Sequence, residues 1–369
     1  MKSIEIDRGK RLKNQPQTGH NRWHPDVVPV VEVEPGEEIL IQTRDASDGQ
    51  IGPGATLQDI EDMDRGAVHP LTGPVYVKGA RPGDLLEVEY LDIIPEPTGW
   101  TRISPNLGFL RDLFPKPYLV HWKVSDGWAT SSQLARVRIP AGCFMGTAGL
   151  APSRSQLEEW TLREADLVDR GGLALLPDSA GAVPSQGPVA THGLRTMPPR
   201  ENCGNVDIKQ LTKGSHLQIP VNVEGALYSV GDGHFAQGDS ECCVTAIEMG
   251  ATAVVRFRIL QGEAARNNIR WPRFARRDTS VPPPWVAPER FVATVGMPIR
   301  DDGVNEGENL TLAARNALLN MIALLQERGW SREQAYILCS VAVDLKVSNV
   351  VDVPNFVVSA FLPEDIFEH

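Results

Sequence analysis

The chain has 369 residues, 41% of them hydrophobic, and a formal net charge of −11; it is long enough to bury a substantial core and too acidic to neutralise phosphate, which argues against nucleic acid or an anionic membrane surface as a partner. Residues 1–7 carry no apolar signal region, and nowhere do about 18 apolar residues run together as a membrane span requires. Five cysteines, with Cys242 and Cys243 adjacent, fit neither a disulfide framework nor a metal knuckle and point to a reducing, cytoplasmic setting.

Turn formers recur along the whole length, with 29 prolines and 33 glycines, so long helices are expected only in the last quarter. The fold class that follows is mainly β, sandwich-like or barrel-like, with a smaller α/β part and two C-terminal helices. Val28, Val30, Val31 and Val33, the turn Glu34-Pro35-Gly36-Glu37 and then Ile39-Leu40-Ile41 predict two strands. The second strand runs into Arg44-Asp45-Ala46-Ser47-Asp48-Gly49, where Asp45 either faces a site or shapes an Asx-turn. His69 stands between an acidic segment and the turn Gly73-Pro74; it either faces a pocket or bonds backbone. Leu85 to Leu91 alternates as a strand, and residues 95–117 read as a long excursion able to cover a site. The small residues from Pro140 to Gly149 suit a close approach of backbone to backbone or to a small ligand, and Cys143 within them reads as a structural thiol.

The proline-rich segment from Asp178 to Arg200 is the expected boundary between a β-rich half, 1–180, and a second half, 181–369, which together form one integrated unit. Leu217, Ile219, Val221 and Val223 alternate as a strand. Directly after it, Ser229-Val230-Gly231-Asp232-Gly233-His234 and Gln237-Gly238-Asp239-Ser240-Glu241 crowd ionisable groups among glycines. In extended backbone Asp232 and His234 share a side, as do Asp239 and Glu241, which gives two pairs of metal-competent ligands. Ala246 to Met249 and Thr252 to Leu260 read as strands, and Pro282-Pro283-Pro284 as a stiff loop. Leu310, Ala314, Ala317, Leu318, Met321 and Leu325 recur at helical spacing; Gly329 ends that helix and Ser331-x-x-Gln334 opens the next, within about 309–345.

These segments together resemble the acetamidase/formamidase family, more closely its formamidase branch, over nearly the full length. The resemblance is carried by His20-Asn21-Arg22-Trp23-His24-Pro25-Asp26, His69 with Gly73-Pro74-Val75, Gly79 to Asp84, Pro198 to Glu201 with Gly204 to Lys209, the Ser229 to Glu241 stretch, and Val350 to Asn355. Family members commonly show Gly-Gly-Asn where this chain has Cys203-Gly204-Asn205, and Gly-Asp-Gly-Glu where it has Gly238-Asp239-Ser240-Glu241; the run from Val341 to Lys346 looks more like the acetamidase branch. The resemblance implies hydrolysis of short aliphatic amides to carboxylate and ammonia by a cytoplasmic homo-oligomer. It also implies a bound divalent metal, zinc or calcium, without an organic cofactor.

An unactivated amide needs its carbonyl polarised, a water activated and a proton delivered to the departing nitrogen. Asp45, Asp232 and His234 are the expected metal ligands, with Asp207 and His69 as further candidates. Glu241 is the expected base, and Asn205 the donor to the developing oxyanion. Two alternatives stay open: a metal-free amidase with Cys203 or Lys123 as nucleophile, and a non-catalytic binding homologue.

Overall fold

Ala251–Leu260 lies between Glu38–Thr43 and Leu85–Pro95, so strands more than 150 positions apart in sequence are hydrogen-bonded neighbours. The computed structural model describes residues 1–276, 290–351 and 353–368; Pro282-Pro283-Pro284 and Asp352 lie outside the described residues. One sheet has six strands, in the order Lys2–Ile4, Glu38–Thr43, Ala251–Leu260, Leu85–Pro95, Ser215–Pro220 and Arg273–Arg276. Its register follows the expected alternation: Ile39, Ile41 and Thr43 are buried while Glu38, Leu40 and Gln42 are half-buried, and each buried aliphatic side chain contributes roughly 1.5–3 kcal/mol.

The second sheet is larger and carries the candidate site. Its path runs Arg138–Pro140, Trp128–Thr130, Tyr118–Ser125, Thr98–Ile103, Glu248–Met249, Tyr228–His234, Phe144–Gly149 and Cys203–Asn205, and Leu71–Val77 joins it on Tyr228–His234. The two sheets share one apolar core: Tyr228 meets Phe257 edge to face at 5.1 Å, and Tyr90 and Tyr228 bring their hydroxyls to 3.5 Å. Strand makes up 34% of the chain and helix 20%, as a mainly β sequence should give. The expectation of a barrel-like closure is corrected, because both strand orders begin and end on different strands.

The α/β part is C-terminal. Helix Leu310–Glu327 buries Ala313, Ala317, Leu318, Met321, Ile322 and Leu325 against the antiparallel strands Phe291–Gly296, Val357–Pro363 and Asp344–Asn349. Asn309 caps its start through Leu312 N at 3.0 Å, and Gly329, at φ +94°, follows its end. Helix Arg332–Ala342 begins with the Ser331/Gln334 capping box, as its spacing predicts.

Three expectations need correction. Thr98–Ile103, within the 95–117 stretch expected to be a loop, is a strand of the larger sheet. A 16-residue helix, Arg154–Asp169, sits well before the last quarter. Ser153 and Gln156 form the same capping box that announced the later helix, but only Leu157 and Trp160 are buried, so an apolar stripe of two residues left no readable period. The alternating run before the acidic motif forms Ser215–Pro220, and the motif itself does not start a loop: Ser229 to His234 belong to the strand Tyr228–His234, buried along its whole length.

Candidate functional site

Tyr228–His234 places Asp232 and His234 two residues apart on one face, and its neighbours bring the remaining groups to them. Glu248 is the cross-strand partner of His234, and Trp100 is in turn the partner of Glu248. On the other side Phe144 pairs with His234 and meets its ring edge to face at 4.9 Å. Gly146 lies next to Asp232, and a Cβ built on it would stand 2.5 Å from Asp207 Oδ1, 2.8 Å from Asp232 Oδ2 and 2.9 Å from His234 Cε1. Only glycine lets this strand pass beneath the cluster, which is the close approach expected of the Pro140 to Gly149 segment.

His234 Nε2 lies 3.2 Å from Glu248 Oε2 and 3.4 Å from Asp232 Oδ1. Its other nitrogen, Nδ1, is 3.0 Å from Gln237 Oε1, while Gln237 Nε2 donates to the Asp207 carbonyl at 2.8 Å. Since the Gln237 N–H is spent on a carbonyl, its oxygen must accept from Nδ1–H, and Nε2 is turned to the acids. His69 Nδ1 is 3.5 Å from Asp232 Oδ2 and 3.3 Å from the Thr147 hydroxyl; that hydroxyl also reaches Asp232 Oδ2 at 3.1 Å and Asn205 Oδ1. Asn205 Nδ2 donates to Asp207 Oδ2 at 3.0 Å, and the Asp207 and Glu241 carboxyls approach each other to within 4.8 Å.

The electrostatics follow from crowding acids out of water. Burial, reinforced by Asp232, pushes the Asp207 carboxyl up to about 8, and burial with Asp207 beside it raises Glu241 well above the carboxylate range. Burial also raises Glu248, against the pull of His234. At Asp232 burial is outweighed by His69 and His234, which hold it well below the usual range. At His234 burial is likewise outweighed, by Glu248 and Asp232, and the ring is driven well above its ordinary value. Backbone strain collects in the same place: Asp207, Asp232, Glu241 and Val244 all have positive φ, between 47° and 78°, a conformation that costs non-glycine residues and recurs at functional sites.

A cavity of about 130 Å³ opens on this cluster, walled by His69, Asn205, Asp207, Asp232, Glu241 and Glu248 together with Val68, Trp100, Arg102, Met197 and others. A larger open groove, about 730 Å³, lies by Leu157, Leu162 and His192 and includes none of the clustered acids, so the smaller cavity is the chemical one. Asp207, Asp232, His234, Glu241, His69 and Asn205, all expected from sequence, come together here. Asp45 spends Oδ1 on Ser47 N and Ser47 Oγ, both at 2.6 Å, the Asx-turn alternative, and lines a neighbouring cavity that Trp100 and Glu248 also line. Asp239 does not share a direction with Glu241 but accepts from Gln210 Nε2 at 3.1 Å. Cys203 is wholly buried with its thiol pushed up to about 12, and Lys123 is exposed on Tyr118–Ser125; neither lines the cavity.

Glu248 was missed by sequence reasoning, although an acid inside the apolar run Ala246-Ile247-Glu248-Met249 was a readable signal. Thr147, Gln237 and Arg102 left no such mark.

Whether these residues suit a cation can be judged from their unpaired atoms. Asp207 Oδ1, Asp232 Oδ1, His234 Nε2 and Glu248 Oε2 are all buried without a hydrogen-bond partner. The ligand atoms of Asp232, His234 and Glu248 lie within 4.8 Å of one another, as do those of Asp207, His234 and Glu241. Orphaned buried acceptors are costly, and a carboxylate and imidazole donor set suits a divalent cation of zinc type; the residues fit one.

Buried acids gathered with two histidines around so small a chamber make this the candidate centre for chemistry on a small polar substrate. Residues 5–369 match the acetamidase/formamidase family. The chain is 35% identical to a formamidase of Methylophilus methylotrophus, over 99% of this chain and 93% of that one. It is 36% identical to an acetamidase of Mycolicibacterium smegmatis, over 91% and 88%. A solved structure titled gamma lactamase, from Delftia acidovorans, superposes with a TM-score of 0.94 at 35% identity, covering 100% of this chain and 94% of that one. The chain belongs to the acetamidase/formamidase family and is a hydrolase of amide C–N bonds. Among the described residues no helix is long and apolar enough to cross a membrane.

Proposed function

We propose that the protein hydrolyses short aliphatic amides, of the formamide and acetamide type, to carboxylate and ammonia in the 130 Å³ cavity. The observation that carries this reading is the convergence of unpaired Asp207, Asp232 and Glu248 atoms on one small chamber, with the unpaired His234 Nε2 against Asp232 and Glu248. The volume is that of about four liquid waters, room for an amide of few heavy atoms and its attacking water. Asp232, His234 and Glu248 would hold a divalent cation, with Asp207 and Glu241 beside it; such a cation supplies carbonyl polarisation and a lowered pKa for water.

The chain's own groups do the proton work. Asp207 and Glu241, whose carboxyl oxygens lie within 4.8 Å of each other, form a pair that exchanges one proton, as neighbouring buried carboxyls do. Glu241 accepts from the attacking water and the pair returns a proton to the amide nitrogen, without which ammonia cannot leave. Thr147 keeps Asn205 and Asp232 in place, and His69 braces Asp232 from the other side.

The test is ammonia release from formamide, acetamide and propionamide by wild type and Glu241→Gln, before and after chelation and after restoring zinc. Turnover that survives both chelation and Glu241→Gln would defeat the reading. A second substrate class, a γ-lactam, is favoured by the likeness to the Delftia acidovorans structure; ring opening of a small lactam at a rate above that of acetamide would select it.

A further inference from the structure

Thr98–Ile103, the strand next to Glu248–Met249, gives two residues to the wall of the cavity. Trp100 and Arg102 are two residues apart on this strand and so share a face; the Arg102 guanidinium carbon lies 5.6 Å from the Trp100 ring centroid, within cation–π range. Both line the cavity, and they are only 4% and 5% exposed. Arg102 Nε, Arg102 Nη1 and Trp100 Nε1 are nevertheless all buried without a hydrogen-bond partner. The unpaired atoms of Asp207, Asp232 and Glu248 on the same cavity are acceptors. The cavity therefore has a donor wall, Trp100 and Arg102, with acceptors beside it, and none of these atoms has a hydrogen-bond partner.

Buried donors left open on this scale need something to meet them. An amide is a bipolar match: its oxygen accepts, its nitrogen donates. Ionised carboxylates hold only the NH₂ end, so the oxygen is left to the donor wall, together with any cation held by Asp232, His234 and Glu248. Asn205, the donor expected from sequence, has its amide nitrogen on Asp207 and its oxygen on Thr147, whereas Arg102 is uncommitted at two nitrogens.

We propose that Arg102, assisted by Trp100 Nε1, binds the carbonyl oxygen of the scissile amide and stabilises the oxyanion formed as water adds to the carbonyl carbon. This assignment rests on the amidase reading above. Water forms the new C–O bond, the carbonyl π electrons move onto the oxygen facing Arg102, and their return breaks the C–N bond as nitrogen takes its proton from the Asp207 and Glu241 pair. Arg102 stays protonated throughout. Trp100 supplies a second hydrogen bond and orients the guanidinium plane.

The test is kcat and KM on acetamide for wild type, Arg102→Lys, Arg102→Met and Trp100→Phe, with Tm for each. Arg102→Met should lose about 10²- to 10³-fold in kcat/KM, mostly in kcat, the size seen when one oxyanion donor is removed; Arg102→Lys should retain about a tenth of wild-type activity and Trp100→Phe should lose about tenfold, with Tm near wild type. Arg102→Met within threefold of an active wild type would overturn the assignment and leave the amidase reading standing; an inactive wild type would remove both. Should Arg102→Met fail to fold, competitive inhibition by acetate in Trp100→Phe decides: weakening by about tenfold supports the donor wall, and an unchanged inhibition constant overturns it.

Discussion

Gln237 determines which face of His234 the acids meet. By donating to the Asp207 carbonyl and accepting from His234 Nδ1, it leaves Nε2 between Asp232 and Glu248. Gln237→Leu removes that constraint and should lower kcat/KM by roughly 10- to 100-fold, as loss of a ligand-orienting partner does, with Tm changed little. A steady-state assay beside a thermal melt checks this; full activity in Gln237→Leu would show that the ring is oriented otherwise.

Gly146 passes so close beneath the cluster that a methyl group would meet Asp207, Asp232 and His234 inside 3.0 Å. Gly146→Ala should abolish turnover, by more than about 10²-fold if the acids move by 1 Å, while far-UV circular dichroism stays that of the folded protein. A folded and active Gly146→Ala enzyme would contradict the packing described.

The departures at Cys203 and Ser240 fall on backbone that glycine would fill more readily: φ is +75° at Cys203 and +136° at Ser240, in the region that side chains disfavour. Ser240 is exposed, so Ser240→Gly loses little packing and should stabilise the fold by about 1 kcal/mol through relieved strain. Urea unfolding of the two proteins measures it. Cys203→Gly would forfeit a fully buried side chain, and its net effect should be smaller or negative.

His20 is wholly buried, with Nδ1 at 2.7 Å from Arg22 O and Nε2 at 2.8 Å from Ser229 Oγ. Burial pushes its pKa down from 6.5 to about 4. Between those values the unfolded chain binds a proton that the folded ring refuses, so His20 contributes full stability above pH 6.5 and loses it as pH falls to about 4, by about 3 kcal/mol in all. Since buried carboxyls such as Asp207 act in the opposite direction, the difference between wild type and His20→Gln at pH 7 and pH 4.5 isolates it; a difference independent of pH would refute the assignment.

Most of the clustered residues were readable because they stand in unusual local company: Asp232 between glycines with His234 after the second, Glu241 in an acidic turn, His69 shortly before a Gly-Pro turn. Period two alone aimed Asp232 and His234 in one direction. What sequence could not show is pairing. Glu248 and Trp100 enter only because Glu248–Met249 lies beside Tyr228–His234 and Thr98–Ile103 lies beside Glu248–Met249 in turn, and Asp45, equally acidic, spends one oxygen on its own turn. The C-terminal helices were legible from period and capping, yet not their hold on the site. Asp344, just beyond the second helix, accepts from Asp239 N at 3.0 Å and pairs with buried Lys209. A Cβ on Gly238 would lie 2.2 Å from Val343 O. The loop bearing Glu241 is thus moulded on the helix end, a contact spanning about a hundred residues that no local pattern announces.

The most direct measurement is ammonia release from acetamide by wild type and Asp232→Asn, an exchange that keeps the side chain's shape and removes the charge facing His69 and His234. Wild type should release ammonia stoichiometrically with acetate, and a folded Asp232→Asn should fall by about 10³-fold or more, in line with the loss of a central charged group. An Asp232→Asn enzyme within a few-fold of wild type would mean that the amide is cleaved somewhere other than this chamber.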